Sequence, residues 1–246
     1  MAGEEINNSF YEALGERWYT ANDHPIALLR KENEIRTPWV IKTIASKYQG
    51  PCKILDIGCG AGLLSNPLVQ AGHKVTGVDL SPMSLTIARE QDLTRSASYI
   101  LASAEQLPFA DESFDVAIAL DLLEHVENPL LVIQEARRVL KPGGRFFFHT
   151  FNRNFLSWLL VIKGVEWAVR NTPPRMHVYN LFIKPKELRE MCASVGVEIE
   201  EIHGLSPKLL SPALPRMLLT RRVPENFKFQ FTRSLVTGYI GYGQRQ

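Results

Sequence analysis

Lys53–Gly62 reads KILDIGCGAG, and VTGVDLS follows from Val75 to Ser81. Ile54, Leu55 and Ile57 form an apolar run that breaks into Gly58, Gly60 and Gly62 and then into a leucine-bearing segment. That is the pattern of a buried strand, a tight turn and a helix start. Glycine suits the turn because such turns often need positive φ, and because a large ligand must approach the backbone where a Cβ would obstruct it. Val75, Thr76, Gly77 and Val78 then make a second short strand ending in Asp79. A carboxylate at that strand tip can accept two hydrogen bonds from a ribose diol. Together these stretches are the first unit of a nucleotide-type α/β fold.

The spelling of the turn narrows the nucleotide. Dinucleotide enzymes read GxGxxG and place a pyrophosphate on the helix N-terminus. Here the turn reads DxGCGAG with Asp56 ahead of the glycines. A carboxylate there pairs with an ammonium and repels phosphate, so it suits a cationic amino acid. The stretch resembles the glycine loop of class I S-adenosylmethionine-dependent methyltransferases. Its bland alternative is a strand, turn and helix that hold no ligand.

The chain has 246 residues, 45% hydrophobic and 22% charged, enough for one large α/β domain with decorations. Its 28 basic and 26 acidic residues leave a net charge of +2, so bulk electrostatics give no case for nucleic acid. Cys52, Cys59 and Cys192 show no metal-ligand spacing, and a reduced, cytoplasmic setting fits them. The stretch MAGEEINNSF has no cationic, apolar or cleavable signal region. No apolar run reaches the roughly 18 residues of a membrane span.

Working outward, residues 1–50 carry Phe10, Tyr11, Leu14, Trp18 and Tyr19 at mostly helical spacing, followed by a helix from about Thr37 to Lys47. We read a helical cap over the cofactor end of the sheet, its aromatics serving mainly as core. Arg36 is the polar exception in that cap. From residue 51 to 150 strands alternate with helices. The helices run from about Gly62 to Ala71, from Pro82 to Asp92 behind a Ser81 cap, and from Pro129 to Leu140 with Leu131, Ile133, Ala136, Val139 and Leu140 inward. Strands at Tyr99–Ala102, Asp115–Leu120 and RFFFHT complete the pattern. The alternation predicts a doubly wound, mostly parallel sheet with helices on both faces. Ligands of such sheets bind beyond the carboxyl ends of the strands, so Gly58, Asp79, Ala104 and Leu120 should ring one cofactor site.

After Thr150 the rhythm changes. Asn154–Arg170 reads as an apolar helix with Lys163, Glu166 and Arg170 on a solvated face. Phe155, Trp158, Leu159, Ile162, Val165 and Val169 form the other face, which either packs on the core or meets lipid. A further helix (IKPKELREMCASVG), a sixth strand (VEIEEIHGL), an excursion over 205–228 with a short amphipathic helix, and a final strand in SLVTGYIGYGQRQ complete one domain.

Asp121, Glu124 and His125 follow the fourth strand at intervals that one turn of backbone could gather. Two carboxylates and an imidazole suit magnesium, manganese or zinc. His125 could instead take the proton of a phenol, having a pKa near neutrality. The competing reading is a structural turn in which both residues only cap.

Several segments match a narrower family: FYEALGERWYT, NEIRTPWV, ILDIGCGAGLLS, SAEQLPF, DLLEHVENP, the NRN…SWL stretch after strand five, FIKPKEL and HGL. Together they resemble the ubiquinone-biosynthesis O-methyltransferases of bacteria and mitochondria. The resemblance implies a class I, Rossmann-like methyltransferase fold, with S-adenosylmethionine as methyl donor and a ring hydroxyl of a polyprenylated phenol or catechol as acceptor. It implies cofactor contacts from Arg36, Gly58, Asp79 and Leu120. With Asp56 and Gly60 on the methionine end, and the adenine between side chains near Leu80 and Ala104, these complete the expected donor site. It implies catalytic roles for Glu124 and His125, and a metal site at Asp121, Glu124 and His125. The family motif is ExxEH; here it reads DLLEH, and Asp121 is one methylene shorter. His149 stands where a small hydroxyl residue is expected, as a second base or a packed residue. The insertion at 151–182 matches the family's lipid-associated segment, implying an entrance for the polyprenyl tail, peripheral contact with the inner face of a membrane and a quinone-biosynthesis complex as partner. The remaining 183–246 would finish the sheet. Two alternatives stay open: another small phenolic or quinone-like acceptor, and a scaffold that binds cofactor or lipid without chemistry.

Overall fold

A computed structural model of the protein describes residues 6–208 and 210–246. The expectation for the first five residues therefore lies outside the described residues. The N-terminal cap comprises α1 (Arg17–Thr20) and the long α2 (Ile26–Lys47). The helix expected from Thr37 begins eleven residues earlier and runs through Pro38. Proline costs one ladder hydrogen bond. What carries the helix past it is a stripe at four-residue spacing, Glu32, Arg36, Val40 and Ile44, all buried.

β1 (Lys53–Ile57) feeds the glycine turn, and α3 follows at Ser65–Gln70. This helix starts later than the pattern suggests because Gly62 has φ +77°, which no α-helix accommodates. β2 (Lys74–Asp79) leads to α4 (Pro82–Gln91), where the Ser81 side chain accepts from the Ser84 N–H and Pro82 occupies the first turn. β3 (Ser98–Leu101), β4 (Phe114–Leu120), α5 (Pro129–Val139) and β5 (Leu140–Phe151) complete the parallel half. In α5 it is Val132, Ile133, Ala136 and Val139 that face inward, while Leu131 is exposed.

Beyond β5 a helical stretch forms as expected, in three pieces: α6 (Phe155–Ser157), a π-helical turn (Trp158–Lys163) and α7 (Gly164–Ala168). Its residues divide between core and surface. Ala168 and Val169 are buried, whereas Phe155, Leu156 and Trp167 are exposed. Thus the packed reading holds for Ala168 and Val169, while Phe155 of the apolar face is exposed. Lys163 pairs with Glu166 at 2.7 Å, as the charge spacing suggests. α8 (Pro185–Ser194), β6 (Val197–Pro207) and α9 (Ala213–Thr220) follow, the last within the anticipated excursion. β7 (Phe229–Thr232) was not expected; it pairs antiparallel with the end of β6. β8 (Gly238–Arg245) is the final strand.

Among the described residues the sheet has eight strands, in the order β3-β2-β1-β4-β5-β8-β6-β7. β1 to β5 are mutually parallel, and β8, β6 and β7 join antiparallel, giving a mixed sheet. Side chains alternate across it as strands require. Leu55, Ala117, Phe146 and Phe148 face α5, while Ile54, Val116, Ile118 and Phe147 face Val40, Ile44 and Leu68. Burial on both faces is why these strands read as continuous apolar runs. The order reverses between β1 and β4, and the carboxyl ends of both open under the N-terminal cap.

Candidate active site

A cleft of about 720 Å³ lies at that reversal, the place where open α/β sheets bind ligands. The end of β1 contributes Asp56, Gly58 and Gly60; the end of β2 contributes Asp79 and Leu80. Ala104 comes from the loop after β3, Leu120, Asp121 and His125 from the segment after β4, and Arg36 from α2. All of the residues expected at a cofactor site therefore line one cavity.

The glycine turn serves protein packing as well as access. Gly58 and Gly60 have φ +72° and +51°. A Cβ on Gly60 would lie 2.8 Å from the Trp18 ring, and one on Gly58 would lie 2.9 Å from Leu122. Trp18 is anchored through its indole N–H to Ser84 Oγ at 3.2 Å, and Tyr19 donates to the Ala61 carbonyl at 2.8 Å. The cap aromatics read as core thus also fasten the cap onto the turn. Tyr11 stacks on Trp18 and itself lines the cleft.

Asp79 is fixed by backbone. Its Oδ2 accepts from Gly60 N–H at 2.8 Å and its Oδ1 from Ser81 N–H at 2.9 Å. Burial raises its pKa, opposed by these backbone donors. Each oxygen retains a lone pair for a diol. Asp56 is buried and accepts from Ser65 Oγ at 2.6 Å; burial pushes its carboxyl up to about 6. Leu80 is 70% exposed, at the rim of the cleft.

The acidic motif does not close into one ligand set. Asp121 has φ +55°, so the chain makes a left-handed turn there rather than the helical turn that would stack the three side chains. Its oxygens face Arg36: Nη1 donates to Oδ1 at 2.8 Å and Nη2 lies 2.7 Å from Oδ2. Arg36 is fully buried, also donates to Asn33 Oδ1, and lies 3.3 Å from Glu32. Strand register pairs Leu120 with His149, which brings the His149 Nδ1 to 2.5 Å from Asp121 Oδ1. Burial opposes the charge of Asp121, but Arg36 and then His149 outweigh it and hold the carboxyl well below the usual carboxylate range. His149 is thus a packed residue of the Asp121 network, fully buried, its Nε2 without a partner among the described residues.

Glu124 and His125 point elsewhere. Glu124 is fully buried and neither oxygen has a partner among the described residues; burial, then the Asp121 charge, push it up to about 8. His125 Nδ1 meets Asn8 Oδ1 at 3.1 Å, while the Asn8 amide donates to the His125 carbonyl at 3.0 Å. With the Asn8 amide turned that way, Nδ1 carries the ring proton and Nε2 the lone pair. Burial drives its pKa down to about 4. Among the described residues, the group of acids and histidines close enough to share an ion is instead Glu32, Asp121 and His149. Arg36 already sits against both of those acids. The expected ligand set of Asp121, Glu124 and His125 does not fit a metal in this arrangement.

Sequence reasoning missed Asn8, Glu32, Asn33 and His177. The His177 ring lies 5.4 Å from that of His125, and burial lowers its pKa to about 3. Only the four-residue spacing of Glu32 and Arg36 offered a signal.

A family model described as a methyltransferase domain matches residues 55–148. The chain is 35% identical over 237 residues to a protein of Hydrogenovibrio crunogenus named ubiquinone biosynthesis O-methyltransferase, covering 94% of each chain. A protein of the same name from Thiobacillus denitrificans is 37% identical over 201 residues, covering 80% of this chain and 84% of that one. Among solved structures, magnesium protoporphyrin IX methyltransferase from Synechocystis with bound SAH superposes with a TM-score of 0.66 at 18% identity, covering 97% of both chains. That likeness establishes the class I methyltransferase fold. The extent and level of identity to the curated relatives establish more: the chain belongs to the ubiquinone biosynthesis O-methyltransferase family.

Proposed function

We propose that this chain transfers a methyl group from S-adenosylmethionine to a ring hydroxyl of a polyprenylated phenol or catechol in ubiquinone biosynthesis. The observation that carries this reading is the Asp79 carboxylate, locked between the glycine turn and α4 at the lip of a cleft large enough for a nucleoside. The donor supplies an electrophilic methyl on a sulfonium. Asp79 binds the ribose diol, Leu80 and Ala104 flank the adenine, and Leu120 forms the floor. Asp56 and Gly58 take the ammonium side of the methionine end, and Arg36 answers its carboxylate.

His125 serves as the proton acceptor. Its ring is neutral, and among the described residues its Nε2 has no hydrogen-bond partner, so it accepts a hydrogen bond from the acceptor hydroxyl. A proton on oxygen becomes strongly acidic as that oxygen gains the methyl, so a weak base suffices when transfer is concerted. Glu124 is fully buried and is not among the residues that line the cleft, so the catalytic contact expected of it falls to His125 alone. Positioning of the two reactants supplies most of the acceleration.

A polyprenyl tail requires an apolar approach. The exposed Phe155, Leu156 and Trp167 of the insertion supply one at a membrane surface. Among the described residues no helix is long and apolar enough to cross a membrane. Incubating purified protein with labelled donor and a short-chain prenyl catechol tests the assignment: label should appear in the ring ether, and absence of transfer would overturn it.

A further inference from the structure

We infer that Asp121 and His149 are positioning residues for Arg36, and that this chain transfers its methyl group without a divalent ion at the DLLEH motif; the inference rests on the donor site proposed above. The acidic motif meets an arginine where the family resemblance implies a metal. Both Asp121 oxygens are taken up by the Arg36 guanidinium, at 2.8 and 2.7 Å, and Oδ1 is shared with His149 Nδ1 at 2.5 Å. Arginine does not deprotonate in proteins, so a second cation at these oxygens would face a fixed like charge. Arg36 and His149 together fill Oδ1, and the one lone pair left on Oδ2 lies beside the guanidinium, where a cation is repelled.

The surroundings are built for this pairing. Asp121 holds φ +55°, an uncommon backbone state for a residue with a side chain, and its own N–H donates to the His149 carbonyl at 3.2 Å. His149 fits because β8 carries glycine at residue 238: a Cβ there would stand 2.9 Å from Nε2. On the far side, Asn33 Oδ1 accepts from Arg36 Nε at 3.2 Å and from Nη2 at 2.9 Å. The guanidinium is therefore braced by Asn33 from its own helix and by Asp121 from the turn after β4, with His149 of β5 setting the Asp121 carboxylate. Glu124 and His125, the other members of the motif, take no part in the brace.

This geometry separates two roles that the motif spelling would merge. Asp121 and His149 act on the donor by holding the residue that meets its carboxylate, whereas His125 acts on the acceptor. A ligand lacking the amino-acid end should not sense the brace.

Two measurements on the full chain test this. In the first, chelator-treated protein is titrated with Mn2+ and followed by electron paramagnetic resonance, with methyl transfer assayed in parallel. We expect no saturable binding, and transfer that persists in the presence of chelator. In the second, affinities for S-adenosylhomocysteine and 5′-methylthioadenosine are compared by calorimetry in His149→Leu and His149→Asn, the latter keeping a donor near the Nδ1 position. His149→Leu should weaken the homocysteine ligand about tenfold, as loss of one hydrogen bond in the brace would. It should leave methylthioadenosine and kcat nearly unchanged, and His149→Asn should recover most of the loss. Saturable Mn2+ binding that Asp121→Asn abolishes, or transfer that stops with chelator and returns with metal, would overturn the inference while leaving the methyltransferase reading intact. Equal weakening of both ligands in His149→Leu would reduce His149 to packing and overturn its positioning role. Failure of the wild-type chain to bind either ligand would instead remove the donor site itself, and this inference with it.

Discussion

The Gly60 N–H donates to Asp79 Oδ2 at 2.8 Å, tying the turn after β1 to the tip of β2. The contact explains why this glycine turn and this acid occur together. The carboxylate proposed to meet the ribose is also a brace for the loop proposed to meet the methionine end. Asp79→Ala should therefore weaken S-adenosylhomocysteine by about a hundredfold or more, the loss of two charge-assisted hydrogen bonds. Asp79→Asn should not restore affinity, because an amide cannot accept from both Gly60 and Ser81. Calorimetry on both variants measures this, and wild-type affinity in either would remove Asp79 from the ribose site.

Gly60→Ala tests the packing of the turn. The residue has φ +51°, and its new Cβ would meet Trp18 at 2.8 Å. A left-handed alanine alone costs about 1–2 kcal/mol. Trp18 must also retreat, so thermal stability should fall and the tryptophan emission should shift red. Unchanged melting and emission would show that the cap does not seat on the turn.

Glu124 makes stability depend on pH in a defined direction. Its carboxyl is raised from 4.5 to about 8 in the fold, by burial and then by Asp121. The stabilising, protonated form is fully present below the unfolded value and is lost as pH rises through the folded value. Glu124→Gln stays neutral throughout. The melting temperature of the variant minus that of wild type should accordingly grow on going from mildly acidic to mildly alkaline buffer, as melting curves across that range would show. A constant difference would mean that the fold does not raise the Glu124 carboxyl.

The insertion should govern lipid contact. Phe155→Asp with Trp167→Asp places charge on its exposed face, and those two side chains are 70% and 62% exposed, so folding should survive. Sedimentation with anionic vesicles should drop by about tenfold or more, since each large apolar side chain contributes on the order of 1.5–3 kcal/mol when buried. Turnover of a soluble short-chain acceptor should be spared. Equal sedimentation of variant and wild type would place the membrane contact elsewhere.

Much of the fold was legible because β1, β4 and β5 are buried on both faces and read as unbroken apolar runs between glycine and proline signals. That the expected residues line one cleft was legible for a related reason: they sit at strand ends, and strand ends are where those runs stop. β7 was not legible, since FQFT is a short edge strand whose pairing with β6 is invisible in its own spelling. The extent of α2 was hard to see because Pro38 lies inside it, where a proline ordinarily interrupts the ladder. The partners of Asp121 were hidden too. The spacing of Asp121, Glu124 and His125 assumes a helical turn, and only the positive φ of Asp121 reveals that the turn is left-handed. Arg36 lies 85 residues from Asp121 in sequence, so no local pattern could connect them.

The most direct test of the central claim is calorimetric titration of the purified wild-type chain with S-adenosylhomocysteine. The account predicts saturable binding of one ligand per chain, with a dissociation constant on the order of micromolar. No heat of binding at millimolar ligand, from protein shown to be folded, would contradict it.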